Sequence, residues 1–394
     1  MMQADGVLPQ PDRMSQQRSQ ELTARIARAC EQQGGSIAFS EYMRMALYQP
    51  GLGYYSSGSL KFGQAGDFIT APEVSALFSR CLARQIAQVF NLAGGHDVLE
   101  FGAGSGLMAA DILLELEQQH AVPRNYYILE LSAELRQRQR QTIAERAPHL
   151  VAKMRWLDTL PSQNIDGVVI ANELLDAMPV ECFRINGDRV EQMRVVTRDA
   201  QLQAVYQNAD DAVVEQVRTL EKRRGRALPH GYCSEFNPAI KPWLASLYDL
   251  LGQALVLLID YGYPGSEYYL DERDSGTLIC HYQHRAHADP LWYPGLQDIT
   301  ASVDFSAVAY AADEIGFDIS GYTTQAMLLM GCGLGELHQS MVTDDPQQQL
   351  RLAQQIKTLT LPSEMGERFK AIALSKQIEL PLIGFSLQDY RNRL

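Results

Sequence analysis

The segment "DVLEFGAGSGLMAADILLELEQQ", Asp97 to Gln119, constrains the fold more than any other stretch of the chain. An apolar run stops at glycines on alternate positions, and a helical apolar pattern follows at once. The run predicts a buried strand and the pattern after it a helix. The rhythm then repeats. "YYILEL" reads as a strand, "SAELRQRQRQTIAER" as a helix capped by Ser132, and "VAKMRWL" and "DGVVIAN" as further strands. Such alternation predicts an α/β fold built on a parallel, doubly wound sheet.

Around this core the chain divides into other parts. Residues 1–18 are polar and predict a disordered tail. Residues 19–95 predict an N-terminal helical segment covering the ligand site. Leu22, Ile26 and Cys30 form one apolar stripe ended by Gly34-Gly35, and "DFITAPEVSALFSRCLARQIAQVF" predicts a helix capped by Thr70 and Glu73 with Pro72 in its first turn. The core is expected over 96–179 and 238–394. "VECFRINGDRVEQMRVVT" interrupts it as a hairpin turning at Asn186-Gly187-Asp188, within an insertion over 180–237. The rhythm resumes with a helix and an apolar strand ending at Asp260. Residues 261–303 predict a loop over the sheet edge with one strand, "GTLICHY", and "FDISGYTTQAM" and "FKAIALSK" supply the last strands.

The glycine turn has a chemical reading. Gly102, Gly104 and Gly106 let a backbone approach a ligand closely. A dinucleotide turn wants G-x-G-x-x-G with a pyrophosphate on the helix end. The third position of that pattern is Leu107, and Glu100 precedes the turn, where an anion gains nothing from it. An ammonium does gain, and S-adenosyl-L-methionine carries one. Glu130 ends the next predicted strand, where an acid can accept from both ribose hydroxyls. Asp158 ends the following one, where it can hold an adenine amino group.

Charge and composition narrow the partners. The net charge is −13, and the only compact basic cluster is "EKRRGR", Glu221 to Arg226, so nucleic acid is not the expected partner. No apolar run is long enough to span a membrane, and the N-terminus lacks the apolar stretch of a secretory signal and the Arg-rich pattern of a transit peptide. The cysteines are scattered without a CxxC pair, which fits a reducing cytoplasm.

Six motifs occur in order: "YMRMALYQPGLGYY", "GDFITAPEVS", "LEFGAGSG", "ANELLDAMPV", "LIDYG" and "QDITASVDF". Together they resemble the MidA-like class I S-adenosylmethionine methyltransferases. That family includes the mitochondrial protein arginine methyltransferase that assists respiratory complex I assembly. The resemblance runs from about residue 20 to 390, and "GDFITAPE" and "NELLDAMPV" are far more specific to it than the glycine turn. It implies a Rossmann-like, seven-stranded, mostly parallel sheet with an inserted substrate-side subdomain. It also implies cofactor contacts at the glycine turn and Glu130, and methyl transfer to arginine of a protein.

The acceptor must be held beside the cofactor methyl. In open α/β sheets that crevice lies beyond the strand C-termini. The strand Asp166–Asn172 ends there. Glu173 and Asp176 follow it, three residues apart and on one face if the segment is helical. Two carboxylates can grip a guanidinium and leave one nitrogen facing the methyl. Acids in a helix's first turn also complement its dipole, so capping is the competing account. Asn172 is placed to hold the cofactor amino group. Asp67 and Thr70 are expected to close over the cofactor, and Glu73, Asp260, Tyr261 and His284 to line the acceptor side. His281, His284, His287 and Cys280 match no zinc spacing, so no metal is expected.

Other readings are methylation of a small molecule or RNA, a cofactor-binding assembly factor with little turnover, and a dinucleotide oxidoreductase. Base methylation is opposed by the absence of a Pro-Pro-aromatic stretch after Asn172. The oxidoreductase is opposed by Leu107 and Glu100.

Overall fold

A computed structural model describes residues 8–56, 69–379 and 381–394. Its central sheet contains β1 (Asp97–Phe101), β2 (Asn125–Leu129), β3 (Met154–Leu157), β4 (Ile165–Asn172), β5 (Leu251–Tyr263), β6 (Asp318–Thr324) and β7 (Phe369–Lys376). They lie in the order β6-β7-β5-β4-β1-β2-β3, and the short strand Val303–Asp304 pairs beside the end of β5. Strands β1 to β5 run parallel, while β7 is antiparallel to both neighbours.

The chain winds outward from β1 through β2 to β3, then returns to lay β4 on the other side of β1. The order reverses between β1 and β4, and a crevice opens there at the strand C-termini. Register sets Glu100 of β1 opposite Ile170 of β4 and Ile128 of β2. Strand β1 is buried at every residue, as a strand with helices on both faces must be. Its side chains alternate between two cores. Val98 joins Val168 and Ile170 under the helices that flank one face, and Leu99 joins Val169 and Ala171 under the helices Ile240–Leu250 and Phe305–Ile315 on the other.

Three expectations need revision. First, helix α1 spans Arg13–Gln32, so residues 13–18 are helical and not part of a disordered tail. Asp12 Oδ1 caps it, accepting from the amides of Met14 and Ser15, both at 2.9 Å. Second, helix α2 spans Phe39–Tyr48, and the single helix expected from Thr70 is two helices, α3 (Ala71–Val74) and α4 (Ala76–Ala93). Ser75, extended at φ −160°, separates them and caps α4 through the amide of Leu77. Thr70 makes no side-chain cap, so no capping box forms.

Third, the N-terminal segment and the insertion are not separate covers. The hairpin Glu181–Asn186/Arg189–Arg198 forms as expected, but Ser36–Ala38 pairs antiparallel with its second strand. Residues 261–303 also hold more than one strand. Ile279–Tyr282 lies between Arg285–His287 and Asp298–Thr300. Ile26, Leu47, Cys182, Val195, Cys280 and Ile299 share one core, which fixes all three regions as a single wall over the crevice. Among the described residues no helix is long and apolar enough to cross a membrane.

Helix α5 (Leu107–Gln118) leaves β1 and packs against α6 (Ala133–Arg146) at Gly106. A Cβ at Gly106 would stand 2.9 Å from Gln139 Cα, and its φ of +83° is left-handed. Gly106→Ala should therefore destabilise the fold by about 1–3 kcal/mol. A urea midpoint equal to that of the wild type would contradict this account of the turn.

Candidate active site

The crevice opens into a cavity of 1610 Å³. The turn after β1 forms one wall. Gly102, Gly104 and Gly106 all take positive φ, so the loop folds tightly and α5 starts with no side-chain cap. Its first amides then face the turn unpaired within the helix. A Cβ on Gly104 would meet nothing within 4 Å, because that position opens on the cavity. Gly102, Ala103, Gly104 and Ser105 line it, but Gly106 does not. The expected ligand contact at Gly106 is corrected: the residue is there to let α6 approach.

Two acids stand behind and beside this turn. Glu100 is fully buried, and its Oε2 accepts from the Tyr126 hydroxyl at 2.6 Å while Oε1 has no partner. Burial pushes its carboxyl up to about 7. Glu130 lies just past β2. Its Oε1 accepts from the Ser132 amide at 2.9 Å and its Oε2 from Gln139 Nε2 at 3.1 Å. The same Gln139 amide donates to the Gly104 carbonyl at 3.1 Å, and Trp156 donates to Gln139 Oε1 at 3.1 Å. Gln139 thus ties the glycine turn to the second strand end. Within the polar face of "SAELRQRQRQ" nothing distinguished it, yet it is wholly buried.

Asp158 is corrected. Its side chain is 86% exposed and pairs with Arg136 at 2.6 Å, away from the cavity. Arg136 also donates to the carbonyls of Glu130 and Leu157, both at 2.6 Å, and so seals the space between the ends of β2 and β3. Leu160 lines the cavity from that loop instead.

The end of β4 carries the acceptor-side acids. The Glu173 amide still donates to the Ile259 carbonyl of β5 at 2.9 Å, and the backbone then turns left-handed with φ +52°. No helix follows. The amides of Leu174, Leu175 and Asp176 all donate to Asp260 Oδ2, at 3.2, 2.9 and 3.3 Å. This removes the dipole-capping account of Glu173 and Asp176, and it also removes their expected shared helix face. The left-handed turn and the three amides converging on one carboxylate bring both acids to the cavity wall. Asp260 itself is buried beneath the loop and does not line the cavity, so its expected place on the acceptor side is corrected to one supporting the loop.

Asn172 Nδ2 donates to Glu173 Oε1 at 3.1 Å, while Asn172 Oδ1 and Asp176 Oδ1 are buried without partners. Among the described residues no cationic side chain pairs with Glu173 or Asp176. Burial, then the neighbouring Asp176, pushes Glu173 up to about 8, and burial pushes Asp176 up to about 6. The Tyr261 hydroxyl, also in the wall, partners Asp176 and eases that rise.

Asp298 completes the group from the far wall. Nothing in "QDITASVDF" marks it as a site residue, but it is buried, lines the cavity and accepts from the Tyr55 hydroxyl at 2.8 Å. Tyr55 stacks on Tyr48 with centroids 5.5 Å apart, and Tyr48 donates to the Ala177 carbonyl at 2.8 Å. Thr70 and Glu73 also line the cavity, and the Ser105 hydroxyl donates to Glu73. Asp67 lies outside the described residues. Among the described residues, His281 is the one histidine that lines the cavity. His284 is corrected: it is exposed in the turn after Ile279–Tyr282, with φ +61°.

The residues present fit an adenosyl sulfonium ligand. They offer an open glycine cradle, a strand-end carboxylate at Glu130, and buried acceptors at Glu100 and Asn172 that lack donors.

Comparison with known proteins agrees. Residues 81–323 match the family described as "Putative S-adenosyl-L-methionine-dependent methyltransferase". A structure from Burkholderia thailandensis bound to S-adenosyl-homocysteine is 39% identical, with a TM-score of 0.93 over 98% of this chain and 100% of that one. A Drosophila melanogaster relative, protein arginine methyltransferase NDUFAF7 homolog, mitochondrial, is 27% identical over 89% of this chain and 86% of its own. The Homo sapiens protein arginine methyltransferase NDUFAF7, mitochondrial, is 25% identical over 86% of this chain and 80% of its own.

Two outcomes are expected. Gly104→Val puts a branched side chain into the cradle and should abolish S-adenosyl-homocysteine binding by calorimetry; undiminished affinity would contradict the cradle. Glu173 rises in the fold from its ordinary 4.5 to about 8. Its protonated form therefore stabilises the fold below pH about 4.5, and that stabilisation is lost as pH rises through about 8. Glu173→Gln keeps the group neutral, so its melting temperature relative to wild type should climb between about pH 5 and 9. A constant difference would count against a buried, unpaired carboxyl.

Proposed function

The chain belongs to the MidA-like S-adenosyl-L-methionine-dependent methyltransferases, and we propose that its acceptor is an arginine side chain of a protein. One observation carries the arginine reading. Glu173 and Asp176 are buried side by side in the cavity wall with no cationic partner among the described residues. Unpaired buried carboxylates are costly, and a site that retains them is suited to a cation. The names of the curated relatives, as protein arginine methyltransferases, point the same way.

In this reading Gly102 and Gly104 cradle the cofactor, Glu130 accepts from its ribose hydroxyls, and Glu100 and Asn172 receive its ammonium end. Thr70 closes the same side. When bound, the cofactor supplies a methyl group on a sulfonium, ready for in-line displacement. The chain must then orient the acceptor and exclude water. Glu173 and Asp176 ionise against an incoming guanidinium and accept its N–H groups in fork geometry. That grip would leave one nitrogen free to face the transferable methyl. Glu73 and Tyr261 border the acceptor, and Asp298 extends the anionic wall.

Charge balance adds a task. The guanidinium enters with one positive charge and leaves methylated with one, so one proton must depart per transfer. Glu173, held near neutrality by burial, is suited to take it and pass it to solvent.

The test is radiolabelled methyl transfer into a lysate from cells lacking this protein, followed by mass spectrometry of the product. A label on arginine is expected. Label on another residue or on a non-protein product would contradict the reading. Against the identified acceptor, Glu173→Gln and Asp176→Asn should each lower kcat/KM on the order of 100-fold, with S-adenosyl-homocysteine still bound. Unchanged turnover would remove both from the catalytic role.

A further inference from the structure

The cavity has a second electrostatic half that the guanidinium grip does not use. At 1610 Å³ it exceeds the roughly 300–1,000 Å³ of a site for one small ligand, so it has room for a length of acceptor chain beside the cofactor. Past Tyr261 it continues along the ends of β5 and β7. Tyr263, Arg273, Arg368 and Phe369 line that end. Phe369 is in register with Tyr261 and packs edge-on against it, centroids 5.7 Å apart. The Arg273 guanidinium lies over the Tyr263 ring at 4.1 Å, and its buried Nε has no hydrogen-bond partner.

Among the described residues, neither Arg273 nor Arg368 is in ion-pair range of a carboxylate. Two acids near Arg273 are already engaged. Asp271 is taken by Arg224 and Arg226. Glu235 Oε1 accepts from Tyr268 and Thr277 at 2.6 Å and from the Thr277 amide at 2.9 Å. The arginines also stand apart from the cofactor cradle. In the order β7-β5-β4-β1, the start of β7 lies three strands from the glycine turn, about 14 Å away. The carboxylate of a cofactor seated over β1 is therefore a poor match for them.

Resting on the arginine reading above, we propose that Arg273 and Arg368 form a flanking subsite that takes an acidic side chain close to the methylated arginine. The acceptor is then a mixed-charge segment. Its guanidinium goes to Glu173 and Asp176, and its carboxylate to the arginines at the ends of β5 and β7. A segment carrying only basic residues is disfavoured at that end by like charge, which separates this site from one built for uniformly basic tails.

The test uses the full chain with S-adenosylmethionine and short peptides that each carry one arginine, with Glu, Gln or Lys at each neighbouring position in turn. At one position Glu should raise kcat/KM about fivefold or more over Gln. In Arg368→Gln and Arg273→Gln that ratio should fall toward one, and Arg368→Glu should transfer the preference to Lys. Equal rates for every Glu/Gln pair in the wild type would overturn the subsite while leaving arginine methylation intact. So would a preference that persists in the variants. Loss of S-adenosyl-homocysteine binding in either variant would assign its arginine to the cofactor and overturn the proposal too. Methylation of none of the peptides would overturn the arginine reading along with the subsite.

Discussion

The site depends on one buried carboxylate. Asp260 sits on β5 beside the end of β4 and accepts three consecutive amides, those of Leu174, Leu175 and Asp176, on a single oxygen. Those amides would otherwise be buried donors without partners, or would start a helix. Gathered on Asp260, they hold the chain in a tight loop after a left-handed Glu173. The loop brings Glu173 and Asp176 to the crevice between β1 and β4, opposite the glycine turn. The topology supplies the crevice, and Asp260 decides what projects into it.

The same arrangement explains why the site is electrostatically unsettled. Glu100, Glu173 and Asp176 are all raised by burial, and none has a cationic partner among the described residues. A core selected for stability alone would pair or replace such groups. Keeping them costs stability, which fits the proposed cationic acceptor. Tyr48, Tyr55 and Tyr261 surround the acids with rings and hydroxyls, which limits water without neutralising charge. The wall that carries Tyr48 and Tyr55 is fixed to the insertion through Ser36–Ala38, so the N-terminal segment contributes to the site's architecture as well as covering it.

Much of this was legible in the sequence. The strand-helix rhythm and the glycine turn are local patterns, and β1, β2, β4 and β5 form where that rhythm predicts them. Position at a strand end led to Glu130, Asn172 and Glu173, which line the cavity, but it says nothing about which way a side chain turns. Asp158 turns out to Arg136, and Asp260 turns under its neighbouring loop. His284 shared a stretch with His281, yet three positions on, in a turn, it faces the surface. Contacts between distant segments left no local trace. Asp298 meets Tyr55 across 243 positions, and Gln139 is a buried connector on a helix whose other polar residues are mostly solvated.

The central claim is that Glu173 and Asp176 await a cation. The most direct measurement is calorimetric titration of the S-adenosyl-homocysteine complex with an acetylated arginine amide near pH 7, repeated in buffers of different ionisation enthalpy. A carboxyl held at about 8 is mostly protonated at that pH, and an arriving guanidinium lowers its pKa. The account predicts net proton release on binding, lost in Glu173→Gln. Binding without proton release, or release that persists in that variant, would contradict it.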